Sequence, residues 1–268
     1  MKEYKTLVIR KDGPTDWVTL NRPERLNALN PQLVDDLLDY FQNLYFDRKT
    51  RVVVLKGAGT AFCAGLDLKE REQPDNEPGG GPQRGLLTQR RISEIVMRMR
   101  RCQQPIISLV HGPACGGGFA LALASDIRIA GESARMNAAF IRIGLSACDI
   151  GVSYFLPRLV GTSVASELML TGRFIKADRA LRVGLVSEVV PDDQLEAAAQ
   201  SYLQDMLTTS PLGLRLTKEC LNFSIDAPSL DSAVAMEDRN QILCSQTIDV
   251  AEGMRAFLEK RPPQYKDR

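Results

Sequence analysis

The stretch "GPACGGGFALALASDIRIAG", residues 112–131, sets four glycines ahead of an apolar run. The segment before it, "PIISLVHG", reads as a buried β-strand, and "FALALASD" after it reads as the start of a buried helix. Glycine serves where φ is positive or where a backbone must come close to something else. A glycine-rich strand-to-helix turn aims bare N–H groups, and the positive end of a helix dipole, at whatever sits above it. That partner could be a phosphate, a carboxylate or a developing oxyanion. The same residues would equally serve a tight turn that packs a helix on a sheet. Nucleotide motifs fail on spacing. Phe119 and Ala120 follow Gly118 where a P-loop needs Lys and Ser or Thr, and no glycine stands three residues beyond the triplet.

The rest of the chain repeats this order. "YKTLVIRKDGPTDWVTLNRP" alternates around Asp12-Gly13-Pro14 and predicts a β-hairpin. Asn30 as N-cap and Pro31 at the first helical position open an amphipathic helix running to about Phe46. "RVVVLKG" is a second buried strand, ending in the glycine-bearing loop "GAGTAFCAGLDLKE". "EQPDNEPGGGPQRG" has no period of either kind and predicts a mobile surface loop, with residues 73–91 forming irregular walls around a pocket. A helix through Arg100 then leads to "PIISLVHG". Strands alternating with helices predict a largely parallel α/β core. "DIRIAG" and "LVSEVV" are shorter strands. From about Asp192 the chain turns helical, so the organisation is a core over 1–191 and a helical region over 192–268. The apolar stripes of that region must bury against the core or another subunit.

Composition narrows the function classes. With 34 basic and 33 acidic residues among 268, the net charge of +1 suggests neither a nucleic-acid nor a membrane-surface protein. No apolar run approaches the ~20 residues of a membrane span. The first residues run straight into a strand without a signal-peptide core, and "QYKDR" carries no peroxisomal tripeptide, so the expected location is cytoplasmic. Six scattered cysteines and one histidine argue against a disulfide framework or a metal site. His111 would have to serve any Ser–His–Asp hydrolase. No G-x-S-x-G elbow exists and Ser108 lies in a buried strand, so it reads as a turn histidine. Cys63 and Cys115 read as small packing residues, and Asp126 as a structural acid ending the buried helix.

"LNRPERLNALN", "AFCAGLDLKE", "HGPACGGGFALALASDIRIA", "LPRLVG", "TGRFIKADRALRVGLVSEVV" and "EGMRAFLEKRPP", in that order, resemble the crotonase superfamily of acyl-CoA enzymes almost end to end. The resemblance implies a spiral of ββα units with a C-terminal helical trimerisation region. It also implies an acyl-CoA thioester as substrate, coenzyme A being part of that substrate rather than a separate cofactor, and a homotrimer or homohexamer. By the same resemblance, the N–H groups of Leu66 and Gly117 form an oxyanion hole for the thioester carbonyl. Arg25 contacts a CoA phosphate, the backbone near Ala64 and Leu66 receives the adenine, and Lys69 is a flanking charge. Phe257 and Lys260 match positions that reach a neighbouring subunit's CoA.

One departure bears on the reaction. Hydratases of this superfamily hold a water between two glutamates, and this chain has Ala120 and Phe140 at those positions. "GLSACDIGVSYFLPRLVG" resembles the segment in which several isomerases of the superfamily carry a catalytic aspartate, here Asp149, in a segment that holds one extra residue. An Asp between Cys148 and Ile150 would be partly desolvated and so shifted toward a useful base; alternatively it caps the helix that follows. The expected activity is double-bond isomerisation of an enoyl- or dienoyl-CoA. Hydration by an unconventional set of residues, or binding of a CoA ester without chemistry, are the alternatives. Should Asp149 not be the base, Glu70 and Glu72 are the next candidates.

Overall fold

The computed structural model describes residues 2–70 and 81–268. The chain opens on a hairpin of β1 (Leu7–Asp12) and β2 (Thr15–Leu20), with Asp12 opposite Thr15 and Gly13 at φ +55° in the two-residue turn. In α1 (Pro31–Leu44) the Asn30 side chain accepts the Leu33 N–H at 2.9 Å, an N-cap reinforced by Pro31.

Three passes of strand, strand, helix follow. β3 (Val52–Gly57) is succeeded by a bridge at Cys63 and then by α2 (Gly81–Arg101). β4 (Ile106–Val110) and β5 (Pro113–Cys115) lead to α3 (Gly117–Ala124). β6 (Ile127–Gly131) and β7 (Arg135–Asn137) lead to α4 (Val152–Thr171). The short β8 (Ile175–Lys176), α5 (Ala177–Arg182) and β9 (Glu188–Val190) complete the core. The first strand of each pass joins a six-stranded sheet in the order β1-β2-β3-β4-β6-β9, parallel from β2 onward. The second joins a small sheet, β5-β7-β8, which Cys63 extends by its bridge to Ala114. This is the expected spiral of ββα units.

The unbroken apolar runs of β3 and β4 follow from burial on both faces. Val53, Leu55, Ile106 and Val110 face the main core with α1, α2 and α3. Val52, Val54, Ile107 and Leu109 face the other way, where Leu195, Ala199 and Leu203 of α6 (Leu195–Leu207) cover them with Trp17 and Ile129. Each such side chain contributes about 1.5–3 kcal/mol by leaving water. The first helix of the C-terminal region therefore covers the centre of one face of the sheet.

Residues 81–91 correct one expectation. They form the first half of α2 rather than an irregular loop. Pro82 lies in the first turn, where its missing N–H costs no intrahelical bond, and Gln83 to Arg91 are mostly good helix formers. The remainder of that expected loop lies outside the described residues.

α7 (Pro211–Ser224), α8 (Leu230–Ser245) and α9 (Ile248–Leu258) follow. α7 is anchored by Lys218, whose side chain is only 4% exposed. Its ammonium donates to Met99 O (3.1 Å) and Gln104 O (2.7 Å) and pairs with Asp126 Oδ2 at 2.9 Å. Asp126 also accepts the Ile106 N–H at 2.8 Å, the structural role expected of it. Elsewhere these helices show apolar side chains to solvent, among them Leu221, Phe223, Ile242, Met254 and Leu258. Among the described residues no helix is long and apolar enough to cross a membrane, and no cluster of potential ligands could hold a metal ion.

Lys218→Ala would leave Asp126 with only the Ile106 N–H and Arg100 as partners and take the ammonium donor from two carbonyls. The expected loss of stability is about 2–3 kcal/mol, read from urea denaturation; a loss within error of zero would show that α7 does not depend on this ammonium.

Candidate functional site

The glycine turn meets the loop after β3 backbone to backbone. Cys63 N–H donates to Pro113 O at 3.2 Å, and Cys115 N–H donates to Cys63 O at 3.0 Å. A Cβ on Gly118 would collide with the Cys63 carbonyl, and one on Gly65, where φ is +95°, would sit 2.7 Å from Cys115 O and 3.5 Å from Gly117 N. Only glycine permits this approach at both positions.

A second seam joins the same loop to the turn after β2. Ala64 N–H donates to Leu26 O (2.9 Å), Leu29 N–H to Gly65 O (2.7 Å), and Asp67 N–H to Leu29 O (2.9 Å). In this parallel bridge the flanking residues bond Leu29, so the N–H of Leu66 faces away from it. Neither the Leu66 nor the Gly117 N–H has an acceptor among the described residues. Gly117 is the first residue of α3, where an N–H lacks an intrahelical partner. Two unpaired donors thus stand on touching segments, at the positive end of a helix. Such an arrangement can hold an anionic oxygen.

Arg22 holds this region together, and nothing in its sequence context marks it out. Its nearly buried guanidinium donates to Ala28 O and to Asp67 Oδ2 (3.1 Å), and pairs with Glu70 at 3.0 Å. For Asp67, burial alone would raise the pKa. The N–H groups of Glu70 and Lys69 and the Arg22 guanidinium outweigh it and hold the carboxyl below its ordinary value. Glu70 is further engaged by Asn30 Nδ2 at 2.7 Å, which commits it to structure; Glu72 lies outside the described residues.

The structure brings Arg25, Ala64, Leu66, Lys69 and Gly117 onto these stitched segments, with Arg25 and Lys69 exposed and without an acidic partner among the described residues. Phe257 and Lys260 are not brought there. Phe257 lies in the last turn of α9 and is 83% exposed, and Lys260 follows just beyond the helix.

Asp149 precedes α4. Its side chain does not cap that helix, because Gly151 is the N-cap and makes no side-chain bond. Instead Oδ1 accepts the Ile150 N–H at 2.8 Å and Gln89 Nε2, from α2, at 2.5 Å. Burial raises the Asp149 pKa above its ordinary value, partly offset by the Ile150 N–H. Ile150 has φ +47°, uncommon for a β-branched residue, and Gly151 has φ +82°. This pair turns the Ile150 side chain toward Gly117, where an added Cβ would stand 3.6 Å from Ile150 Cδ1. The carboxylate is thereby carried by a loop that lies beside the glycine turn.

The other candidates fall to structural roles. Ala120 and Phe140 are buried, and the Phe140 ring lies over Gly116. His111 Nε2 meets Gly59 O at 3.0 Å in a turn. Burial pushes the Cys63 thiol up to about 12 and also raises Cys115, so neither is a ready thiolate. A cavity of about 950 Å³ lies between α1, α2, α4 and α7, lined in part by Phe41, Met97, Tyr154 and Phe155. It reaches Gly151 but neither Leu66 nor Gly117, so volume and chemistry do not coincide.

Gly118→Ala and Gly117→Ala should differ sharply. At Gly118 the new methyl meets fixed backbone, and misfolding or a loss of several kcal/mol is expected. At Gly117 it meets Leu29 Cδ1 at 2.7 Å, a side-chain end that can rotate, so the loss should stay near about 1 kcal/mol. Thermal unfolding of the two variants decides; equal losses would contradict the geometry.

The family model described as "Enoyl-CoA hydratase/isomerase" matches residues 16–268. A Mycobacterium bovis protein named "Probable enoyl-CoA hydratase echA12" is 40% identical over 252 residues, 93% of this chain and 88% of the relative. The Escherichia coli protein "1,2-epoxyphenylacetyl-CoA isomerase" is 37% identical over 248 residues, 92% and 93% of the two chains. The crystal structure of enoyl-CoA hydratase from Bacillus anthracis superposes with a TM-score of 0.91 at 33% identity, covering 98% of this chain and all of that one. With loop stitching, glycine turn and spiral all in place, this chain belongs to the enoyl-CoA hydratase/isomerase family.

Proposed function

We propose that this protein isomerises the double bond of an enoyl- or dienoyl-CoA, with Leu66 and Gly117 N–H as the oxyanion hole and Asp149 as the single acid/base. The observation that carries this reading is the half-buried Asp149 carboxylate on a loop whose Ile150 side chain points to Gly117, one of two N–H donors that have no acceptor among the described residues. The thioester carbonyl accepts both N–H groups. Developing enolate charge on its oxygen is then stabilised by donors already in place, worth about 3–4 kcal/mol each in comparable sites. Asp149 takes a proton from one carbon of the acyl chain and returns it two carbons along, so the double bond moves and nothing is added or lost. A raised pKa makes the carboxylate a better match for a carbon acid.

Arg25, the Ala64 backbone and Lys69 would hold the CoA moiety. Phe257 and Lys260 would reach the CoA of a neighbouring subunit in a homotrimer or a dimer of trimers. Their exposure on the chain's own surface, with the other apolar side chains of α7–α9, supports that reading. Sedimentation at micromolar concentration should give three or six copies; a stable monomer would overturn it.

Ala120 and Phe140 supply no carboxylate pair for a water, so hydration of crotonyl-CoA should be slow. Asp149→Asn should cost about 10²–10⁴-fold in isomerisation and in exchange of acyl-chain protons in deuterated water, while affinity for a CoA ester stays within a few fold. Retained exchange in this variant would sink the assignment. Wild-type protein that binds CoA esters but exchanges nothing would favour a binding protein. Fast hydration would favour an unconventional hydratase.

The pH dependence has a definite sign. The Asp149 pKa is raised in the fold, so activity should climb with pH along one ionisation lying above the ordinary aspartate value. A raised carboxylate pKa also means that ionising Asp149 costs stability. That cost grows as pH rises from the unfolded toward the folded pKa, and remains at neutral pH. Asp149→Asn should therefore be no less stable than wild type at pH 7 by thermal unfolding, even as it loses activity.

A further inference from the structure

We propose that Gln89 is the positioning residue of the Asp149 carboxylate, fixing Oδ1 so that Oδ2 alone exchanges protons with substrate. The inference rests on the reading of Asp149 as the base. Both donors recorded at Asp149, Ile150 N–H at 2.8 Å and Gln89 Nε2 at 2.5 Å, converge on Oδ1. No donor among the described residues reaches Oδ2. The terminal torsion of an aspartate is soft, and a single bond from its own neighbour would leave the carboxylate free to swing. The second donor comes from a different element 60 residues away.

That element is a stiff support. One turn beyond Gln89, Ile92 is buried, and Ile95, Val96 and Met99 continue the same stripe into the main core. The chemistry of the side chain also suits the task. An amide nitrogen must face a carboxylate, because the amide oxygen would set lone pair against lone pair. Unlike Glu or His, Gln does not itself titrate, so it can orient the base without competing for its proton. A donor to the ionised form also restrains the pKa that burial raises.

No charged side chain among the described residues bears on Asp149; burial and the Ile150 N–H are the influences recorded there. On α2, Arg90 and Arg91 flank Gln89 and are exposed, Arg91 being paired with Asp35. Cys148, beside Asp149 in its loop, is exposed. Gln89 is expected to bear on the titration of Asp149 through its 2.5 Å bond to Oδ1, against a background with no neighbouring charge among the described residues.

The test measures the pH profile of acyl-proton exchange in deuterated water, with a 3-enoyl-CoA as probe, for wild type and three variants. Gln89→Leu should lower the plateau about tenfold and move the acidic limb up by about one pH unit, with KM unchanged. Gln89→His, whose Nε2 has similar reach, should recover most of the plateau. Gln89→Glu should move the limb up further, since two carboxylates would then share one proton. A Gln89→Leu profile that overlays wild type would overturn the inference, and so would a lower plateau with an unmoved limb, which marks a merely structural role. Asp149→Asn, run alongside, separates the two ideas. If it keeps exchange, the base assignment itself fails. If it abolishes exchange while Gln89→Leu changes nothing, only the positioning role fails.

Discussion

Everything at this site depends on two strand-end loops lying against each other with no side chain between them. The Cys63 carbonyl accepts from Cys115 and stands where a Gly118 methyl would be, and the Gly65 backbone abuts Cys115 and Gly117. Backbone contact at this range spends hydrogen-bonding capacity on neighbours, yet it leaves the N–H groups of Leu66 and Gly117 without an acceptor among the described residues. Unpaired donors in a packed region are costly unless a ligand or water takes them up. The fold retains them where the first turn of α3 adds a favourable field for negative charge.

The large sheet makes that proximity durable. β3 and β4 are adjacent, parallel and buried on both faces, so the loops leaving their C-terminal ends emerge side by side. The small sheet then catches both loops through the Cys63–Ala114 bridge and β5. α6 seals the far face, which ties the start of the helical region to the geometry of the site. Arg22 adds the last restraint, a nearly buried cation that joins the turn after β2 to Asp67 and Glu70.

The surroundings of the two N–H donors bear on the proposed reaction. Here the positions next to the glycine turn are apolar: Ala120 inside α3 and Phe140 over Gly116. The carboxylate proposed as the base, Asp149, sits instead on the loop before α4, next to Ile150 with its unusual positive φ. Strain of this kind persists only where surrounding structure over-determines it. The contact of Ile150 with Gly117 and the bond from α2 to Asp149 do so.

By itself the sequence determined the longer strands, the Asn30 helix cap, the parallel α/β core and the glycine positions. Each rests on local chemistry: apolar runs, Asn30 and Pro31 at a helix start, and glycines where no side chain fits. It also singled out Asp149 and the two unpaired donors as candidates, through a resemblance carried by contiguous motifs. Only the tertiary structure decided what Asp149 does with its carboxylate, since helix capping and bonding elsewhere look alike along the chain. Gln89 was illegible for the same reason: it sits in a polar, charged stretch, and its partner is 60 residues away. Arg22, likewise, reads as one more surface cation until Asp67 and Glu70 close around it. Local composition records which backbone conformations a segment can adopt, whereas a polar contact between distant elements depends on where the packed core sets them.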